Sequence, residues 1–396
     1  MDPYSNKKST SNSPFFNSKI ICPICGVPST QRTIKPSYYT EQEVDIILRP
    51  TKVKWLKKDI AKEDKRQPRL FYMRHCIFCK FTAADNNYEN PVENYDISTG
   101  KFQKKMKFLQ EKSANFKQIV TILSQGVNVL QPDYFQAVRL HLLAPFQLQL
   151  IEEVGKKDAF NIARYYLRLA WLFIDLEESE DLYHKYIPKI NKLTQILRKN
   201  WKKVPSNSEE ALLLAKHYYN TTLIKSRLIK SDLEEIRLLL LMCRVTIKLE
   251  DVKDSHKFLF GSIEKSRMFE RRRKGMVAQV NYDEQELKKE KKISFNAGAK
   301  RSAAEKEVAK MAVDFRRMNV MIREVQNLYD DFREEYDEKQ MRKAKNMLSR
   351  IDTERKTQQE LRKYLVTKGI DDRVAWRVAP DKKKKGILSI FKRKEK

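Results

Sequence analysis

Four of the five cysteines in this 396-residue chain form two Cys-x-x-Cys pairs, Cys22-Pro-Ile-Cys25 and Cys76-Ile-Phe-Cys79. Two residues between thiolates let one turn present both sulfurs to a single ion, and a second such knuckle completes a tetrahedron. The chemistry this set offers is tetrathiolate coordination of Zn2+, with Cys22, Cys25, Cys76 and Cys79 as the ligands. Four sulfurs close the shell and leave no position for an activated water, so the expected role is structural rather than catalytic. A dithiol redox centre would place a Cys-x-x-Cys at the start of a helix within a strand–helix–strand unit, and neither pair has that setting. His75, adjacent to Cys76, could replace or support a ligand. Cys243 falls on an apolar helical stripe and reads as a small buried hydrophobe.

The elements around the pairs must bring distant segments together. Fifty residues separate Cys25 from Cys76, against about 15–20 in common zinc ribbons, so the insert has to fold back. Strand-like runs at Val44–Leu48 and Leu70–Met73 are the candidates for pairing beside the knuckles. Gly26 follows the first pair where a knuckle wants a permissive backbone. Lys80 stands at the equivalent place in the second pair, which implies a differently built turn.

From about residue 103 the apolar positions take up helical spacing. Ala163, Tyr166, Leu167, Ala170 and Ile174 make one stripe, and Tyr186, Ile190, Leu193 and Leu197 a second. Leu212, Ala215, Tyr219 and Leu223 make a third, Ile236, Leu240, Cys243 and Ile247 a fourth, and a fifth runs through Leu259 and Ile263. Ser206 with Glu209, and Ser231 with Glu234, fit capping boxes, while Pro188 and Pro205 fall near expected helix ends. Short helix pairs of this kind suggest tetratricopeptide-like packing, whose concave groove is a usual binding surface for a protein or peptide. Tyr165, Tyr166, Trp171, Tyr218 and Tyr219 are candidates to line such a groove, although aromatic residues at helical spacing more often belong to the core.

The C-terminal region has a different pattern. After the basic cluster Arg271–Lys274 and a polar stretch, Phe315, Met318, Ile322, Val325, Tyr329, Phe332 and Tyr336 recur at alternating three- and four-residue steps. That seam resembles a coiled coil, and either self-association through residues 315–351 or packing back against the repeat domain would cover it. The last stretch sets Ile387, Leu388, Ile390 and Phe391 between two basic clusters within residues 382–394.

The formal net charge of +29 admits a polyanion as partner, either nucleic acid or an anionic membrane surface, through residues 271–274 and 382–394. Against a focused interface, the excess is spread along the chain. No signal-peptide h-region and no apolar run of spanning length is seen, and paired cysteines suit a reducing compartment. The expected location is the cytoplasm, with peripheral contact at the inner membrane surface as a variant.

Cys22-Pro-Ile-Cys25, Pro68-Arg-Leu-Phe-Tyr72 leading into Cys76-Ile-Phe-Cys79, Tyr165-Tyr-Leu-Arg-Leu-Ala-Trp-Leu-Phe173 and Glu235-Ile-Arg-Leu-Leu-Leu-Leu241 together resemble a bacterial family, domain of unknown function 2225, over roughly residues 20–270. The resemblance implies a paired-cysteine module followed by a tetratricopeptide-like helical region, and it supplies no activity. The second pair departs from the family pattern in lacking a Pro after its first Cys and a Gly after its last.

The expected fold is thus mainly α, with a small zinc-ribbon-like β module, a helical-repeat domain and a long coiled-coil-like helix. The expected organisation is a disordered N-terminus (1–19), zinc-ribbon-like module (20–102), helical-repeat domain (103–272), linker (273–298), long helix (299–367) and basic tail (368–396). The expected function is a non-enzymatic, zinc-stabilised scaffold for protein–protein interaction, with polyanion binding as the alternative.

Overall fold

A computed structural model describes residues 14–56, 67–84, 88, 99–151, 159–224, 229, 231–290, 295–350 and 355–371. Among them are six short strands, all N-terminal, and ten α-helices, which make the chain mainly helical. The strands pair as three separate antiparallel hairpins: β1 (Phe15–Ile21) with β2 (Pro28–Ile34), β3 (Tyr39–Val44) with β4 (Pro50–Trp55), and β5 (Met73–His75) with β6 (Thr82–Ala84). The helices are α1 (Thr99–Lys112), α2 (Ala114–Ser124), α3 (Tyr134–Ile151), α4 (Ala159–Glu178), α5 (Glu180–Arg198), α6 (Ser208–Ile224), α7 (Asp232–Lys248), α8 (Val252–Glu290), α9 (Phe295–Arg350) and α10 (Arg355–Thr367). None of them is long and apolar enough to cross a membrane.

The strand positions differ from the sequence expectation for local reasons. Of the run Val44–Leu48 only Val44, the last residue of β3, is strand; Asp45–Leu48 is the turn of the β3–β4 hairpin. The Asp45 carboxylate accepts the Ile47 and Arg49 amides at 3.0 and 2.9 Å, so the β-branched residues are overruled by an Asx turn. Pro68 starts a 3-10 turn, Pro68–Phe71, and the strand begins only at Met73.

Residues Met1–Leu249 and Glu250–Lys396 form two compact units. In the first, α4 is the central helix, with α3, α5 and α6 packed along it. Thirteen of its side chains are buried, among them Tyr165, Tyr166 and Leu169. Met73 and Ala84 share one apolar cluster with Leu140 and Ala144 of α3 and Tyr165 of α4, which seats the β5–β6 hairpin on the helical body. The Tyr165 hydroxyl accepts the Ala84 amide at 3.1 Å. A buried ion network holds the β3–β4 hairpin to the same helix: Arg49 Nη1 lies 2.9 Å and Arg69 Nη1 2.8 Å from Asp175 Oδ1.

At the start of α7 the Ser231 Oγ accepts the Glu234 amide at 3.2 Å, which is the N-cap half of the expected Ser231–Glu234 box. The expected Ser206–Glu209 box is displaced by one residue. Asn207 Oδ1 accepts the Glu210 amide at 2.8 Å, and the Glu210 carboxylate accepts the Ser206 amide, also at 2.8 Å. Pro188 lies inside α5, not at its end.

In the second unit α8 and α9 run antiparallel. His256 meets Tyr329 at a tilt (6.1 Å between centroids), Ser266 Oγ donates to Asn319 Oδ1 at 3.3 Å, and the Arg273 guanidinium lies 6.0 Å from the Phe315 ring. Partner numbers fall as the first numbers rise. The seam read from the sequence is therefore covered within the chain, with Met318 and Val325 buried. α8 continues through Arg271–Lys274 to Glu290, so most of the expected linker is helical. β1 likewise takes in residues expected to be disordered, from Phe15 on. The basic tail at 382–394 lies outside the described residues.

Candidate metal centre

Each cysteine pair occupies the tip of a hairpin. Cys22 and Cys25 lie between β1 and β2, whose last pairing is Ile21 with Pro28. Cys76 and Cys79 lie between β5 and β6, closed by His75 paired with Thr82. The two tips carry the same backbone hydrogen bonds. Cys22 N donates to Val27 O and Gly26 N to Cys22 O, at 3.1 and 2.9 Å; Cys76 N donates to Phe81 O and Lys80 N to Cys76 O, both at 2.8 Å. Gly26 adopts φ +74° and Lys80 φ +62°. The second turn is thus built like the first, with lysine accepting the left-handed conformation that glycine adopts without cost.

The structure brings all four predicted ligands together, their sulfurs within 4.8 Å of one another. The close approaches cross between knuckles, Cys22 to Cys79 at 3.5 Å and Cys25 to Cys76 at 3.6 Å. Tetrahedral coordination at a Zn–S distance of about 2.3 Å requires sulfurs about 3.8 Å apart, so the arrangement has the size of a four-sulfur metal site. Cys22 and Cys76 are buried, while Cys25 and Cys79 are half-buried. Cys243 is buried within α7 and is not part of this cluster.

The electrostatics of the cluster favour a cation. Hydrogen bonds from Cys76 and then Cys79 hold the Cys22 thiol far below its ordinary range. The same contacts act in reverse on the others: Cys76 is pushed up to about 11, first by its bond with Cys22, and Cys79 is driven well above the thiol range by Cys22 and Cys76. One thiolate is stabilised by its neighbours, and each further one meets a negative charge at van der Waals distance. A divalent ion removes that conflict.

His75 does not join the ligand set. Its Nδ1 is 2.8 Å from Thr82 Oγ1, and burial, with Lys80 and Arg139 nearby, lowers its pKa to about 3. Tyr88 is fully buried and its hydroxyl has no hydrogen-bond partner among the described residues. Burial raises that phenol first and the charge on Cys22 second, which sets the hydroxyl beside the sulfurs as a protonated donor. An O–H otherwise without a partner fits a thiolate-rich site.

Four glutamines hold the hairpin tips, and the cysteine spacing gave no hint of them. The Gln31 amide bonds both main-chain groups of His75, accepting from N and donating to O at 3.2 Å each, so β2 grips β5. Gln147 of α3 accepts the Thr82 amide at 2.9 Å and donates to Lys80 O at 2.8 Å. From α1, Gln103 donates to Pro23 O and Gln110 to Cys79 O. Gln31 and Gln147 are each 1% exposed, so these bonds satisfy backbone groups that water cannot reach. A polar residue within the apolar run Leu142–Leu150 was the available signal for Gln147.

The family model described as an uncharacterized protein conserved in bacteria, domain of unknown function 2225, matches residues 15–284, which include both knuckles and α1 to α7. No curated protein and no solved structure matches the chain. With that match spanning more than half its length, this chain belongs to the bacterial family of domain of unknown function 2225.

Proposed function

We propose that this protein is a non-enzymatic scaffold whose N-terminal hairpins are fixed by a structural Zn2+ held by Cys22, Cys25, Cys76 and Cys79. The observation that carries the reading is the closed set of four sulfurs. Zinc is favoured because four soft thiolates in tetrahedral arrangement suit it, and no position is left for a substrate. His75, the nearest histidine in sequence, is engaged with Thr82 and held neutral.

The scaffold's working surface is the helical body, and its partner a protein or peptide. Support comes from the packing of α4 along α6, two helices ahead, with α5 against α4 and α7 against α6, as expected of stacked helix pairs of tetratricopeptide type. Tyr165, Tyr166 and Tyr219 belong to the core; Trp171 and Tyr218 are half-buried and remain as lining candidates. The α8–α9 hairpin is read as an intramolecular antiparallel coiled coil. Polyanion binding is the second reading, favoured by the exposed Lys104, Lys107 and Lys112 of α1.

The test is Cys25→Ser in the full chain. Zinc content falls from one per chain and the thermal unfolding of the N-terminal region moves to lower temperature. A variant with unchanged zinc content and melting would remove the proposal.

A further inference from the structure

The face of α4 that carries Arg164, Arg168, Trp171, Asp175 and Glu178 changes sign along its length. At the C-terminal end the carboxylates are matched: Arg49 and Arg69 reach Asp175, and Arg49 also holds Glu178 at 2.8 Å. Toward the N-terminus stand Arg168 and Arg164, four residues apart and so neighbours on the helix surface. Neither guanidinium has a hydrogen bond or ion pair among the described residues. Each instead rests on an aromatic ring, Arg168 on Tyr72 with Cζ 4.9 Å from the centroid and Arg164 on Phe160 at 5.8 Å.

Both arginines are half-buried, so the helix keeps two like charges partly sheltered from water, an arrangement that is unfavourable until a counter-ion arrives. Phe160 meets Tyr219 edge-on at 5.9 Å. Tyr219 is 1% exposed and lies close enough for both guanidinium charges to act on its hydroxyl. Beside burial, Arg168 responds most to the Arg164 charge and then to the phenols of Tyr72, Tyr165 and Tyr219. Glu41 is engaged by the Tyr72 hydroxyl at 2.8 Å. On the same face, one turn past Arg168, the Trp171 Nε1–H is buried with no acceptor among the described residues.

We propose that Arg164 and Arg168, backed by Tyr219, form a binding site for a phosphate monoester group. Two fork-shaped donors with no opposing acid among the described residues match a group carrying about two negative charges and three acceptor oxygens. A carboxylate would neutralise one guanidinium and leave the other uncompensated. Each guanidinium can offer a phosphate paired N–H donors, and each rests against an aromatic ring. The site lies on the helical body and is independent of the cysteine cluster, so zinc loss by Cys25→Ser and phosphate binding report on separate claims.

The experiment is calorimetric titration of the intact, zinc-loaded chain with inorganic phosphate, glycerol phosphate and acetate at fixed ionic strength. Saturable binding of one phosphate, weakened tenfold or more in Arg168→Gln and in Arg164→Gln, is the expected result. Glycerol phosphate binding more tightly than inorganic phosphate identifies a phosphorylated small molecule as the source, and the reverse order identifies free phosphate. Should the variants fold poorly, as judged by circular dichroism and zinc content, arginine modification by phenylglyoxal maps the site in the unaltered protein. Phosphate then slows labelling of Arg164 and Arg168 and not of the exposed Arg198. Non-saturable binding, acetate binding as tightly as phosphate, or equal protection of all three arginines would overturn the proposal.

Discussion

Replacing Gln147 by methionine keeps the volume of the side chain and removes both of its hydrogen bonds. The Thr82 amide and the Lys80 carbonyl, bonded at 2.9 and 2.8 Å, then lose their partner in a place where Gln147 itself is 1% exposed. An unsatisfied buried backbone group costs about 1–3 kcal/mol, and relaxation of the turn recovers part of two such losses, so we expect about 3 kcal/mol in total. The penalty falls on the second knuckle, since both groups flank Phe81 at its closing end. If metal release proceeds through opening of that hairpin, about 3 kcal/mol corresponds to a release rate faster by about a hundredfold. The assay is zinc transfer to a chromogenic chelator in excess, followed as a first-order rate, beside urea unfolding of the same samples. A release rate within twofold of the parent chain, with an unchanged unfolding midpoint, would refute the assignment of Gln147 as the residue that locks the knuckle.

Lys80→Gly removes the side chain from a residue held at φ +62° and is expected to stabilise the second hairpin by about 1 kcal/mol, visible as slower zinc transfer in the same assay. His141 is fully buried with Nδ1 2.8 Å from Ala137 O, and burial lowers its pKa to about 3. The unfolded chain takes up this proton below about pH 6.5 and the folded chain does not until about pH 3. Stability therefore falls with pH between those values, by about 1.4 kcal/mol per unit from this residue. Urea midpoints between pH 7 and pH 5 should drop less steeply in His141→Leu than in the parent; equal slopes would contradict the assignment.

The metal ligands were legible because coordination by cysteine imposes a spacing on the sequence itself, and Cys22–Cys25 and Cys76–Cys79 carry it. The helices were legible for a similar reason, since burying one face of α4 or α7 forces apolar residues into a 3.6-residue rhythm. What surrounds the cysteines was less so: Gln31 and Gln147 bond distant main-chain groups, nothing local distinguishes Gln31 from a surface glutamine, and only the apolar run Leu142–Leu150 marks Gln147. Lys80 misled for a related reason: the turn is fixed by Cys76 N, Phe81 O and Lys80 N, and those backbone bonds outweigh the conformational preference of one residue. Residues 273–290 looked like a linker by polarity alone, yet Arg, Lys, Glu and Gln are good helix formers, and α8 continues through them. The run at Val44–Leu48 misled in the opposite direction, through a single carboxylate, Asp45, that turns the chain.

X-ray absorption at the zinc edge, on the full chain purified without added metal and quantified by mass spectrometry, addresses the four-sulfur centre itself. One zinc per chain with four sulfur neighbours at about 2.3 Å is the expected result. A chain free of zinc, or a zinc with a nitrogen or oxygen neighbour in place of any one of the four sulfurs, would contradict it.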